Sequence, residues 1–145
     1  MHITRYTDYS LRVLIYLAVQ KDHLTTIQEI ADSYHISKNH LMKVVHQLNR
    51  KGYVETVRGK NGGLRLNMDP KNINIGVLVR ETEQDLKLVE CFSSESSCAI
   101  GPVCGLKGVF SEALDAFLTA LDQHCLADLL PEKKKPQLLR LLQIA

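Results

Sequence analysis

Cys91, Cys98 and Cys104 fall within a single polar stretch, Cys91-Phe-Ser-Ser-Glu-Ser-Ser-Cys98-Ala-Ile-Gly-Pro-Val-Cys104. Free cysteine ordinarily packs as a small buried hydrophobe, and a setting of Ser, Glu, Gly and Pro is not where such a residue goes. Thiolate ligation accounts for the three better. The C-x6-C-x5-C spacing is too open for a CxxC zinc knuckle, and three sulfurs leave one position of a tetrahedral site unfilled. Iron-sulfur clusters usually take four protein ligands, normally thiolates and less commonly another donor at one position. On the residues alone a cluster, a zinc ion and a thiol redox switch all stay open, and the fourth ligand is unidentified.

A second chemistry is electrostatic. Between His35 and Arg65 the chain has Lys38, Lys43, Arg50, Lys51, Arg58, Lys60 and Arg65 against Glu55 alone, so this window carries +6 and the remainder −4, within a net charge of +2. A positive face of this kind attracts a polyanion and gains affinity by releasing its counterions. Enzymatic chemistry is poorly supported. His23, His35, His40, His46 and His124 fall on expected helices, turns or the basic face, His2 is terminal, and none is paired with a cysteine in the sequence. Gly59, Gly62 and Gly63 lack the GxxxxGK[ST] or strand-GxGxxG-helix context of a nucleotide loop.

The elements that position these residues follow from periodicity and caps. Leu11, Leu14, Ile15 and Ala18 predict a first helix over 8–21 with Thr7 as its cap. Thr26-Ile-Gln-Glu29 has capping-box form and predicts a second helix to about Tyr34. Ser37 as N-cap, with Leu41, Val44, Val45 and Leu48 at core spacing, predicts a third helix ending at Gly52. Two short helices joined by about three residues outline a helix-turn-helix, the third helix being the reader. Tyr53–Val57 and Leu64–Leu66 alternate as strands around the turn 58–63, which adds a hairpin wing. Residues 69–72 read as a linker, 74–82 as a fourth helix, and about 105–126 as a long helix with a wide apolar stripe from Leu106 to Leu121. Pro131 to Pro136 reads as a solvated linker and 137–144 as a last short helix. Cys125, one turn past Leu121, reads as a packed thiol.

The expected fold class is mainly α with a small β wing: a winged helix-turn-helix domain (1–83), a cysteine loop (84–104), a long dimerisation helix (105–130) and a linker with a short C-terminal helix (131–145). The stripe on the long helix needs a partner surface. Paired readers on a two-fold axis meet successive major grooves roughly 34–36 Å apart, so a homodimer on double-stranded operator DNA is expected. Ser37, Lys38, Asn39 and His40 open the reading helix, where free N–H groups and the helix dipole suit phosphate or a base edge. Asn39 and Lys43 are the expected base readers, Ser37, Lys38 and His40 position the backbone, and Arg58, Lys60 and Asn61 are the wing contacts. Asp8 and Arg12, four apart, read by themselves as a helical ion pair.

At 145 residues and 45% hydrophobic, the chain supports one real core. No apolar run reaches bilayer-spanning length, and the first eight residues lack the layout of a signal peptide, so a cytoplasmic protein is expected. Four cysteines in that reducing compartment are not expected to form two disulfides.

The segments Thr7-Asp-Tyr-Ser-Leu-Arg12-Val-Leu-Ile15, Ile36-Ser-Lys-Asn-His-Leu-Met-Lys43 and Arg58-Gly-Lys-Asn-Gly-Gly63, with the three cysteines, resemble the IscR/NsrR (Rrf-two) regulators from Met1 to about Leu130. The likeness is nearest to the nitric-oxide-sensing branch. It implies a winged-helix homodimeric repressor with a [4Fe-4S] cluster, alternatively [2Fe-2S], on Cys91, Cys98 and Cys104, released from DNA when nitric oxide attacks the cluster. It also implies a fourth ligand near the start of the first helix of the other subunit, matching Asp8 of the partner subunit, with Arg12 steadying that carboxylate. The IscR branch has a His three residues after its last cysteine, where this chain has Lys107. An IscR-like redox regulator and a zinc or thiol-switch regulator remain the alternatives.

Overall fold

The computed structural model describes residues 1–144. Its first helix, α1 (Arg5–Val19), begins three residues before the expected start, because Thr4 and not Thr7 caps it: the Thr4 hydroxyl accepts from the Thr7 N–H at 3.4 Å. Thr7 is fully buried inside α1, and its hydroxyl donates to Thr82 Oγ1 at 2.8 Å. Both threonines have the right chemistry for a cap, and the long-range bond to Thr82 is what removes Thr7 from that role.

α2 (Ile27–Tyr34) starts at the expected capping box, in which Glu29 accepts from the Thr26 N–H at 2.6 Å and its own N–H donates to the Thr26 hydroxyl at 3.2 Å. It stops at His35, which takes a left-handed conformation. α3 (Lys38–Arg50) follows Ser37, whose side chain makes no cap bond, and buries Leu41, Val44, Val45 and Leu48 as the spacing predicts. β1 (Val54–Val57) and β2 (Gly63–Leu66) pair antiparallel, with Val54 opposite Leu66 and Val57 opposite Gly63. The turn between them requires glycine at 62, where a Cβ would lie 2.2 Å from the Val57 carbonyl oxygen. Two ties hold this wing: Thr25 exchanges backbone bonds with Leu64 at 2.7 and 3.0 Å, and Asn49 Nδ2 donates to Val54 O and Thr56 Oγ1.

A 3-10 turn (Pro70–Asn72) occupies the expected linker, and Asn74 caps α4 (Ile75–Thr82). Between α4 and α5 (Leu106–Asp122) the only helical piece is a 3-10 turn at Glu90–Phe92. α5 ends four residues before the expected Leu126. Arg80 of α4 grips Asp122 with both guanidinium nitrogens, and a Cβ on Gly76 would lie 1.8 Å from that carboxylate, so the helices meet at a glycine. The chain then leaves the helix to pair Cys125 with Asn74. Cys125 is therefore not a packed thiol on the long helix; it is half-buried and opens a 3-10 turn, Leu126–Leu129. The segment read as a linker to Pro136 holds a further 3-10 turn (Glu132–Lys134) and the start of α6 (Lys135–Leu141), proline being tolerated in a first turn where its missing N–H has no partner to lose.

One core runs through these elements. Val13, Leu14 and Leu17 of α1 lie in it with Ile30, Leu41 and Leu48 of the helix-turn-helix, Ile73 and Leu78 around α4, and Leu118, Leu126 and Leu142 from the C-terminal third. Ser33 of α2 donates to the Leu142 carbonyl at 2.8 Å, fastening α6's end to the helix-turn-helix. The architecture is mainly helical with a two-stranded wing, as expected. No described helix is long and apolar enough to cross a membrane.

Candidate nucleic-acid interface and metal centre

Burial of one face of α3 decides what its other face offers. With Leu41, Val44, Val45 and Leu48 turned inward, Asn39, Met42, Lys43 and His46, at i, i+3, i+4 and i+7, share the outward side. Ser37, Lys38, Asn39, His40 and Lys43 are all exposed, and so are Arg58, Lys60 and Asn61 of the wing. Lys43 and Arg58 come together on one open groove of about 630 Å³ between α3 and the wing, with Met42, His46 and Thr56 along it. Asn61, at the wing tip, has a left-handed backbone, φ 62°. The single acid of the basic window is neutralised across the strands: Arg65 bonds Glu55 at 2.8 Å and holds its carboxyl below the ordinary range. Met42 and His46 are candidates that the reading for contacts missed, although their helical spacing from Asn39 was visible.

Cys91, Cys98 and Cys104 line one cavity of about 190 Å³ whose wall also holds Glu90, Leu106 and Lys107. Cys98 is exposed, while Cys91 and Cys104 are half-buried. The Leu106 N–H, at the first turn of α5, donates to Cys104 Sγ at 3.4 Å. The start of α5 and Lys107 therefore border the cavity that the three cysteines line. Among the described residues no three His, Cys, Asp or Glu side chains converge on a single-ion site. A cluster takes its thiolates on separate iron atoms, and three sulfurs around one cavity fit such a donor set. Asp8 is not on this cavity's wall.

Asp8 lies in the first turn of α1 and is gripped by Arg12, with Nη2 to Oδ2 at 2.9 Å and Nε to Oδ1 at 3.2 Å. The Arg12 guanidinium also stands 5.7 Å from the Tyr9 ring centre and 5.8 Å from that of Tyr34, within cation–π range. Tyr34 donates its hydroxyl to the Arg12 carbonyl at 2.9 Å, and burial pushes its pKa up to about 12. The Tyr9 ring lies 6.4 Å from that of His40, at the start of α3. Asp8 is thus linked through Arg12, Tyr9 and His40 to the start of α3.

The stripe on α5 divides in two. Leu118 is buried, and Leu114 and Leu121 pack on the core from one side. Leu106, Val109 and Phe117 remain exposed on the other, and an apolar cavity of about 380 Å³ between Phe110, Phe117, Leu86, Leu88 and Ile3 adjoins them.

Comparison with known proteins adds an independent line. Residues 3–132 match the Rrf2 family model, described as iron-dependent transcriptional regulator. The chain is 54% identical over 146 residues to the HTH-type transcriptional regulator NsrR of Bacillus subtilis, covering 99% of each. Among solved structures it is similar to CymR, the global cysteine regulator of B. subtilis, with TM-score 0.71, 27% identity and 89% and 95% of the two chains covered. The T. potens IscR structure shares the fold, with TM-score 0.74 at 23% identity over 94% and 91%.

Proposed function

The chain belongs to the Rrf2 family of transcriptional regulators, which are not enzymes, and from that premise we propose that it is a nitric-oxide-responsive repressor that binds operator DNA as a homodimer. The observation that carries the sensing part is the gathering of Cys91, Cys98 and Cys104 on one cavity at the foot of α5, beside an N–H donor and Lys107. These three would hold a [4Fe-4S] cluster, or a [2Fe-2S] one, with Asp8 of the partner subunit as fourth ligand. Bound there, the cluster supplies iron that reacts with nitric oxide.

The chain's own residues do the rest. The exposed row Leu106, Val109 and Phe117 supports pairing of two copies through α5, and the proposal requires that this pairing bring the start of one α1 to the other copy's cysteine loop. Arg12 fixes the carboxylate of Asp8 for that reach. Asp8 would be the only oxygen donor in the set. Its release would cost α1 an anchor at its first turn, and Tyr9 and Arg12, which link Asp8 to His40, would pass the change to the start of α3. A coupling of about 1–3 kcal/mol alters operator affinity roughly 5–150-fold, enough for a switch.

The test is preparation without oxygen, followed by duplex binding as nitric oxide is titrated in. The expected protein is brown, binds, and loses its visible absorption and its DNA in step. A colourless zinc-loaded protein, or binding indifferent to nitric oxide, would overturn the sensing reading.

A further inference from the structure

Met42 is out of place on α3. It is 49% exposed in a helix face otherwise made of Asn39, Lys43 and His46, and it sits on the groove that leads to Arg58. Met42 shares that groove with Ile27, Val45 and Leu64 as well as with Lys43, His46 and Arg58, yet about half of its side chain faces solvent on a surface whose cations suit a polyanion. Within a polyanion, the major groove of DNA offers one apolar group at a base edge, the C5-methyl of thymine. Taking the DNA-binding reading as its premise, we propose that Met42 is a specificity-determining residue that packs on a thymine methyl in each operator half-site.

The placement fits the helix geometry. Asn39 lies one turn before Met42 and Lys43 lies beside it, so the three share the exposed face that α3 would present to the groove. Asn39 and Lys43 have donors for adenine and for guanine or phosphate, and neither has a group that recognises a methyl. Methionine is unbranched and adaptable, which suits a contact that must settle against a flat methyl-bearing edge. His46, one turn further, and Arg58 across the groove line the same surface beside Met42.

The experiment uses the full-length protein, prepared without oxygen, and a duplex selected by it from a random library. Thymidines in that duplex are replaced one at a time by deoxyuridine, which removes only the methyl. Loss of one buried methyl-sized contact is expected to weaken binding about fourfold at one position per half-site. Met42→Ala should bind the thymidine duplex correspondingly less well and show no further loss with deoxyuridine, while Met42→Leu and Lys43→Ala keep the deoxyuridine penalty. Met42 is exposed and alanine is the better helix former, so the variant is expected to fold; its circular dichroism checks this. Wild-type indifference to every replacement, or an undiminished penalty in Met42→Ala, overturns the role of Met42 and leaves DNA binding standing. Failure to select any duplex sinks both.

Discussion

The helix-turn-helix with its wing and the cysteine loop of this chain, the proposed reader and the proposed sensor, are built to different degrees. Around the helix-turn-helix each local signal agrees with the next: a reciprocal capping box, a left-handed His35, a fully inward face on α3, and a wing sewn on by Asn49 and Thr25. Between Thr82 and Leu106 there is a single 3-10 turn, an exposed Cys98, and a cavity walled by cysteines. A reader must arrive at DNA preformed, because ordering it there would cost affinity. A sensor that takes its last ligand from elsewhere is expected to be incomplete within one chain.

Substitutions can break that contrast, and the largest effect belongs to the reader. Leu41→Ala removes a wholly buried side chain from α3 and is expected to destabilise the protein by about 2–5 kcal/mol in urea titration, with loss of DNA binding. Thr26→Ala dismantles the capping box at about 1 kcal/mol. Tyr34→Phe deletes one hydrogen bond to the Arg12 carbonyl, about 0.5–1.5 kcal/mol at neutral pH. It also changes the alkaline limit. Burial raises Tyr34 from 10.0 to about 12 in the folded protein, so its contribution is complete below pH 10 and disappears as pH rises through about 12. The thermal midpoint of wild type should fall more steeply than that of Tyr34→Phe over this window. Cys98→Ser, on an exposed residue of the loop, should leave the stability of the metal-free chain within about 0.5 kcal/mol while abolishing the brown colour. A Cys98→Ser loss as large as that of Leu41→Ala would mean that the loop is part of the core and that the two halves are not distinct.

The sequence revealed most where signals are local. The capping box, the α3 core face, the presence of the hairpin and the three-cysteine stretch were all legible from spacing. The misplacements come from long-range partners. Thr7 was a plausible cap until Thr82 claimed its hydroxyl, and α5 read as longer because nothing local announces that Asn74 pairs with Cys125 or that Arg80 takes Asp122. The C-terminal helix starts early because proline is harmless in a first turn, yet the same residue marks a linker to a reader of sequence. At the site, the pull of Arg12 on Asp8 was anticipated as an i,i+4 pair, whereas the contacts that carry it on to Tyr9, Tyr34 and His40 join three helices and have no local signature.

The central claim is that the reader is complete in one chain and the sensor only in two. Its most direct measurement is the iron content and visible spectrum of a purified mixed dimer, one subunit bearing Asp8→Ala and the other Cys98→Ser, compared with both parent homodimers. If Asp8 acts across the interface, the mixed dimer keeps one complete site, with cysteines from the first subunit and the carboxylate from the second. It should then show about half the wild-type cluster signal with wild-type nitric oxide sensitivity, while neither parent does. A mixed dimer no better than its parents, or an Asp8→Ala homodimer with an unaltered spectrum and response, would contradict the account.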